Sequence, residues 1–506
     1  MTGEGAWRRL SVRVVHLDLV RVALSCVPGY LGAVVLNDDG PVWALVAGSA
    51  AGVLGALTDL LRWMTTRYRI GPDRVEMRSG WAARRHRTVA RDRIRSVDSS
   101  AKALQRLFRL RVVHVGSGEH DSSFKLNALD RRHAALLERE LLSGAAAPEP
   151  EEAPAETVIA RLRWQWVPLN IVTIWAVFLV AGPLFSLYWL LRPFGVDLLG
   201  VARGLADWGS LGVVGSVLLC AAVGYPIGVA AAAGAFLLEN WGFELVRAGT
   251  PPATALVSRR GLLGTRTVQR DDRRLRGLAF REPLAWRWLG LAETKVVTTG
   301  LSQVGDAGSG ALLPRLRLGE AREVAARVLA DGHRPLEAPL RRHPRGALVR
   351  RLGWAAYGPA LLAGLLLLFT LSGALPGWVW PLPLTVMPVT LPMAVVAYRS
   401  LGHTTAGPYL VVRGGALHRE TVTLRRGAVI GWTFEQSILQ RWGGRMTVGI
   451  PTAAGDRFYR APDAGTEQAL SLAREATPEL AAQFIEEASD PGVRPVSART
   501  DRVMCD

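Results

Sequence analysis

Six apolar stretches, grouped in three pairs, constrain this chain more than any other feature. They run over about Val20–Leu36 and Pro41–Leu61, Val167–Leu190 and Leu211–Leu238, and Trp354–Leu375 and Trp378–Tyr398. Each is close to or above the roughly 20 residues an α-helix needs to cross a bilayer. Backbone in hydrocarbon must satisfy its own hydrogen bonds, so all six are expected as helices. Trp164, Trp166, Trp189, Trp354, Trp378 and Trp380 stand at or near the stretch ends, where interfacial aromatics belong. Hydrophobic residues make up 49% of the 506 and charged residues 21%, and mean hydropathy is +0.18. Those values coexist because the apolar residues are gathered into the stretches.

Arginine placement sets the expected orientation. Arg8, Arg9 and Arg13 precede the first stretch, and Arg62 and Arg67 follow the second. The turn between them, Asn37–Gly40, holds two aspartates and no base. Arg341, Arg342, Arg345, Arg350 and Arg351 precede the fifth stretch and Arg399 follows the sixth, whereas Arg192 and Arg203 lie between the third and fourth. The positive-inside rule then puts both termini and all large polar segments on the cytoplasmic side. The net charge of +18 comes from 61 basic and 43 acidic residues, and only Lys102, Lys125 and Lys295 are lysines. With spans present, such an excess reads as attraction to an anionic membrane rather than to nucleic acid. Cys26, Cys220 and Cys505 form neither a pairing framework nor a metal spacing. A cleaved signal peptide is not expected, because the first apolar run is interrupted by Arg21 and leads directly into a second.

The organisation expected is therefore 1–61 as N-terminal segment and first pair, 62–163 as a first soluble domain, 164–238 as second pair, 239–353 as second domain, 354–398 as third pair, and 399–506 as third domain with a tail. Residues 144–156 (GAAAPEPEEAPAE) read as a linker with nothing to bury.

The soluble segments resemble one another. Tyr68–Gly80 reads as strand, turn at Gly71-Pro72-Asp73, and strand ending in glycine; Thr88-Val89, Ile94–Val97, Leu104–Leu110 and Val112–Val115 follow. The second segment offers Ala255–Gly261, Thr267-Val268, Leu275–Leu278, Leu284–Leu291 and Val296-Val297. Gly80 to Leu110 and Gly261 to Leu291 are both 30 residues, and Ile94 and Leu275 each fall 14 after their glycine. The third segment is looser: Tyr409–Gly415, Val429-Ile430, Ile438–Trp442 and Met446–Ile450. Short alternating runs with glycine turns predict antiparallel sheets. A helix should close each segment. In the second, Ala321, Val324, Ala325, Val328 and Leu329 share one face at i, i+3, i+4, i+7 and i+8. The first ends on Leu129, Leu136, Leu137 and Leu141, and the third on Leu470–Ala476 and a fresh start at Thr477-Pro478-Glu479. About seven strands closed by one helix outline a pleckstrin-homology-like (PH-like) barrel.

On Tyr68–Gly80, Arg93–Val97 and Leu104–Leu110, the chain resembles the membrane-flanked bacterial PH-domain family, the YdbS/YdbT-like proteins. The resemblance covers nearly the whole chain, departs in the second segment at Phe243 and Ala248–Thr254, and lacks the Arg93–Val97 counterpart in the third. It implies a bacterial inner-membrane protein: a six-span helical bundle plus three PH-like barrels, each closed by a C-terminal helix. It implies no particular ligand.

No catalytic motif of the phosphate-loop, zinc-protease or nucleophile-elbow kinds is present. Neither an enzyme nor a cofactor or metal is expected, and Gly116–His120 reads as a plain hairpin turn. The candidate surface for anionic lipid or a partner is Arg84, Arg85, Arg87, Arg91, Arg93 and Arg95 in the first segment, and Arg266, Arg270, Arg273 and Arg274 in the second. Arg413, Arg419, Arg425 and Arg426 stand in the corresponding part of the third. Gly48 with Gly52 and Gly224 with Gly228 make small-residue ridges for helix packing. Pro381, Pro383, Pro388 and Pro392 break the sixth stretch. The expected function is a non-enzymatic membrane scaffold with lipid, an unidentified protein partner and self-association as its contacts. A transporter or export-accessory subunit acting through the bundle is the alternative.

Overall fold

A computed structural model describes residues 7–36, 42–71, 73–80, 84–91, 96–116, 124–130, 156–171, 176–191, 200, 203–204, 208–250, 254–299 and 310–483. The Asn37–Gly40 turn, Arg93, Arg95, the Gly116–His120 turn beyond Gly116, the expected first closing helix and nearly all the linker lie outside them. The chain divides into two compact units, Met1–Gly332 and His333–Asp506.

In the first unit, β1 (Arg8–Arg9) leads into helices α1 (Arg13–Leu36) and α2 (Val42–Thr65). The chain returns as β2 (Arg67–Ile70), β3 (Arg74–Ser79) and β4 (Arg85–Ala90), which with β1 make an antiparallel sheet of order β1-β2-β3-β4. A second meander follows: β5 (Ser96–Ala101), α3 (Ala103–Leu107), β6 (Leu110–Gly116) and β7 (Phe124–Asp130). Alternation puts Tyr68, Val75, Met77 and Val89 of one sheet against Val113, Val115, Leu126 and Leu129 of the other. Burial of each large apolar side chain there contributes about 1.5–3 kcal/mol.

The same order of elements recurs. β8 (Thr157–Arg161) precedes α4 (Trp166–Ile171), α5 (Ala176–Leu191) and α6 (Trp208–Asn240). β9 (Glu244–Ala248), β10 (Ala255–Arg260) and β11 (Thr265–Asp271) continue the sheet from β8. Then come β12 (Leu275–Pro283), α7 (Leu284–Trp288), β13 (Leu291–Thr298), β14 (Leu316–Arg317) and α8 (Leu318–Leu329). α8 buries Ala321, Val324, Ala325, Val328 and Leu329, the face expected from spacing. Arg247 closes its C-terminus: the guanidinium donates to the Val328 carbonyl at 2.6 Å and is itself held by Asp272 at 2.7 Å.

In the second unit, an Arg341–His403 bridge stands where β1 and β8 stand in their segments. α9 (Arg345–Leu371), a 3-10 turn (Leu382–Val386) and α10 (Met387–Arg399) lead to β15 (Gly402–Ala406), β16 (Tyr409–Gly414) and β17 (His418–Arg425). β18 (Thr433–Glu435), α11 (Ile438–Trp442), β19 (Arg445–Pro451) and β20 (Phe458–Gly465) form the other sheet, and α12 (Thr466–Ala476) and α13 (Pro478–Ala482) close it. α13 starts at the expected Thr477, but the threonine hydroxyl accepts from Trp432 Nε1 at 2.7 Å and makes no cap.

Two recurring positions explain why the sequences look alike. Gly80, Gly261 and Gly415 end a strand with φ of 109°, 110° and 99°. A Cβ at Gly261 would meet the Gly264 carbonyl oxygen at 1.7 Å, and one at Gly415 the His418 oxygen at 1.9 Å. The short helices each end in a left-handed residue, Arg109, Gly290 or Gly444, which turns the chain into β6, β13 or β19. At their starts, Gln105 Oε1 accepts from the Lys102 amide and Gln440 Oε1 from the Ser437 amide.

Two expectations are corrected. The sheets are not closed barrels: β11 pairs with β5 of the preceding segment, giving one seven-stranded sheet of order β7-β6-β5-β11-β10-β9-β8. An edge satisfied this way has no need to curl onto its own segment. Three helical stretches, not six, are long and apolar enough to cross a membrane among the described residues: Trp208–Asn240, Arg345–Leu371 and Leu382–Arg399. α5 is described over 16 residues, and the side chains of 25–49 lie outside the described residues. Arg8–Arg9 and Thr157–Arg161 join the sheets that follow them, and residues 333–353 fall in the second unit.

Candidate functional site

The long helices run past their apolar stretches into the soluble domains, and polar contacts fasten each at its entry. In the second unit α9 begins at Arg345, nine residues before Trp354. Arg350 and Arg351, one turn inside it, both donate to Asp463, Arg351 at 2.7 Å. Asp463 is almost fully buried near the end of β20, with φ at 61°. Gln440 of α11 donates to the same carboxylate at 2.9 Å. Burial raises the Asp463 carboxyl, but the hydrogen bonds from Gln440 and Arg350 and the Arg351 charge outweigh it and hold the group below the usual carboxylate range. Arg445 adds a further tie to the Gly346 carbonyl.

The first unit carries the counterparts. Arg13, at the start of α1, donates to Asp130 at the end of β7 at 2.9 Å. Leu17, one turn later, is buried with Leu110 against Leu104 and Phe108. Before α4, Arg163 and the buried Trp166 indole both donate to Glu320 at 3.1 Å. Asn170 binds the Arg315 backbone through both its amide atoms. In each case the entry to a helix pair is fixed to the second meander or its closing helix. An exposed ion pair such as Arg13–Asp130 stabilises little; Asp463 and Glu320, bound to buried partners, hold geometry more firmly. Hydropathy could not have pointed to these residues, which are single polar side chains separated by more than a hundred positions.

The arginines expected as one surface separate. Arg84 and Arg85 are exposed at β4, whereas Arg87 and Arg91 are half-buried. Arg266 forms an ion pair with Asp98 of β5 at 2.7 Å, with both side chains mostly covered. Arg270 is 4% exposed, and burial pushes its guanidinium down to about 10. Arg270 is therefore removed from any lipid-facing surface, and Arg266 belongs to the junction between segments. Arg273 stays exposed, and Arg274 lies 3.8 Å from Asp271. Of the helix glycines, Gly228 is buried in α6, while a Cβ at Gly224 would meet nothing. Gly48 and Gly52 lie within α2, which packs on α1.

Among the described residues no group of three His, Cys, Asp or Glu side chains could hold a metal ion. The arrangement can orient and present surfaces. No curated protein and no solved structure matches the chain. The family model described as bacterial PH domain matches residues 21–145 and 348–479, the first and third segments together with part or all of their helix pairs. The middle segment is unmatched, although its spacing follows the first more closely than the third does. With half of its length covered by that model, the chain belongs to the bacterial PH domain family.

Proposed function

We propose that this protein is a non-enzymatic, multi-pass membrane scaffold of the YdbS/YdbT-like kind. Its three PH-like domains are held at the cytoplasmic face of a bacterial inner membrane by its apolar helices, and bind protein partners or the anionic leaflet. The observation that carries this reading is the clamp of Asp463 on Arg350 and Arg351, with Glu320 and Asp130 in the corresponding places. A domain fixed to its own span has a set orientation and a high local concentration of headgroups. Weak attraction from Arg84, Arg85 and Arg87, on the order of 1 kcal/mol per arginine, is then enough to engage lipid without a deep pocket.

Hydrogen exchange of the full chain in nanodiscs tests the lipid part. Amides of residues 84–91 should exchange more slowly in anionic than in neutral bilayers, for several anionic headgroups alike, and high salt should remove the difference. The triple variant Arg84→Ala, Arg85→Ala, Arg87→Ala should lose it too. Equal exchange in both bilayers would reject lipid binding at this surface.

One observation favours a second reading, a transporter or export-accessory subunit. The sixth stretch is broken, with a 3-10 turn over Leu382–Val386 before α10. Broken helices at membrane depth line cavities or are shielded by protein. The stretch between Gly377 and Tyr398 carries no ionisable residue, which weighs against coupled transport. Here Thr390 also donates to the Ala355 carbonyl of α9, a packing contact.

A further inference from the structure

We propose that copies of this chain join head to tail, the β18 edge of one copy adding to the β4 edge of the next. The first unit already makes this kind of junction. β5 of the first segment lies antiparallel to β11 of the second over six residue pairs, Ser96↔Arg270 through Ala101↔Thr265. Arg266 stands opposite Ser100 and reaches Asp98 diagonally at 2.7 Å. Arg106, on the short helix after β5, donates to the Leu262 carbonyl in the turn before β11. Gly264 in that turn is so close to β5 that a Cβ would lie 3.0 Å from the Ala101 carbonyl oxygen.

Each partner in that junction has a counterpart at an outer end of the chain. Arg85-His86-Arg87 of β4 corresponds to Arg266-Thr267-Val268 of β11, since Arg85 lies opposite Ser79 just before Gly80 as Arg266 lies opposite Arg260 just before Gly261. Leu439-Gln440-Arg441 after β18 corresponds to Leu104-Gln105-Arg106 after β5. Pairing Glu435 with Thr447 and Ser100 with Val112 aligns the two meanders and puts Glu435 in the place of Ser100. Transferring the internal register sets Arg85 opposite Glu435, His86 opposite Phe434 and Arg87 opposite Thr433. The charges are thus complementary where the internal pair is Arg266 and Ser100. Among the described residues β4 pairs only with β3 and β18 only with β19, so each is a sheet edge. Thr433, Phe434 and Glu435 are exposed, as are Arg85, His86 and Thr88. An open edge is a template for another strand. Two different edges joining make a heterologous contact, which closes into a ring or continues as a filament.

The test uses full-length chains in membranes, with Cys26, Cys220 and Cys505 replaced by serine. One chain carries His86→Cys and the other Phe434→Cys, two exposed positions whose Cβ atoms would lie about 4.5–5.5 Å apart in the transferred register. Mild oxidation of membranes containing both should give a covalent dimer with one chain of each kind, and membranes with either alone should not. Arg85→Glu should lower the yield about fivefold by placing like charges opposite each other, and Arg85→Glu with Glu435→Arg should restore it. The double-cysteine chain should give multimers of two or more copies. Absence of the mixed dimer, or a yield unmoved by the charge reversals, would overturn the proposal. Neither result bears on the lipid reading, whose signal follows bilayer charge.

Discussion

Asp463→Ala should destabilise the second unit by about 3 kcal/mol, the scale expected when one member of a buried charge pair is removed. Asp463 is the shared acceptor for Arg350, Arg351 and Gln440, and its own side chain is 3% exposed. Without the carboxylate, two mostly covered guanidiniums face each other and the Gln440 amide loses one of its two acceptors. Asp463→Asn should fall between wild type and alanine, keeping hydrogen-bond geometry without the charge. Thermal unfolding and hydrogen exchange over residues 402–476 would measure this. An alanine variant as stable as wild type would show that the carboxylate does not fasten the domain.

The second large effect is on pH. His343 and His403 are buried together, with His343 Nε2 at 2.9 Å from His403 Nδ1. His343 Nδ1 lies 2.9 Å from the Pro462 carbonyl, which can only accept, so this nitrogen carries the proton. His343 Nε2 is then the acceptor and His403 Nδ1–H the donor. His403 Nε2 is left as a lone pair with no donor among the described residues. Burial lowers both imidazoles to about 4, and for His403 the His343 ring and Arg341 add to it. Arg351, Asp463 and Glu475 are the other charged groups that face the pair.

Both histidines are harder to protonate in the folded unit than in the unfolded chain, where the ordinary value is about 6.5. The unfolded state therefore binds more protons between those limits, and stability falls as pH falls. The unit should hold full stability above about pH 7 and lose it from about 6.5 down to about 4, by roughly 3 kcal/mol per histidine at most. Replacing both by leucine should flatten that part of the profile, at whatever cost at neutral pH. A wild-type profile flat from pH 7 to 4.5 would contradict the buried, neutral assignment.

How far the sequence revealed this molecule depended on the range of the interactions. The α8 face and the glycine turns at Gly80, Gly261 and Gly415 were legible because both are set within a few residues. The resemblance among segments was legible because the Leu104–Leu110 and Ile438–Trp442 runs encode a short capped helix and its left-handed exit. What was not legible depended on distant partners. Arg266 and Arg270 looked like surface charges until β5, 168 positions from Arg266 in the case of Asp98, was seen to cover them. The closed barrel failed for the same reason, since no local pattern says which edge a strand will meet. The helices were located by their apolar cores, but their polar extensions, with Arg13, Leu17, Arg350 and Arg351 fastening them to the domains, carry no hydropathy signal.

The proposed scaffold requires all three domains to sit on the cytoplasmic side of one membrane. Cysteine labelling in whole cells tests it most directly. The exposed positions Arg85, Arg273 and Leu417 mark the three domains, and Gly377 marks the turn between α9 and α10. With single cysteines at these positions, an impermeant thiol reagent should label Gly377→Cys in intact cells. Arg85→Cys, Arg273→Cys and Leu417→Cys should react only after the membrane is opened. Labelling of any of these three from outside, or protection of Gly377→Cys until permeabilisation, would contradict the account.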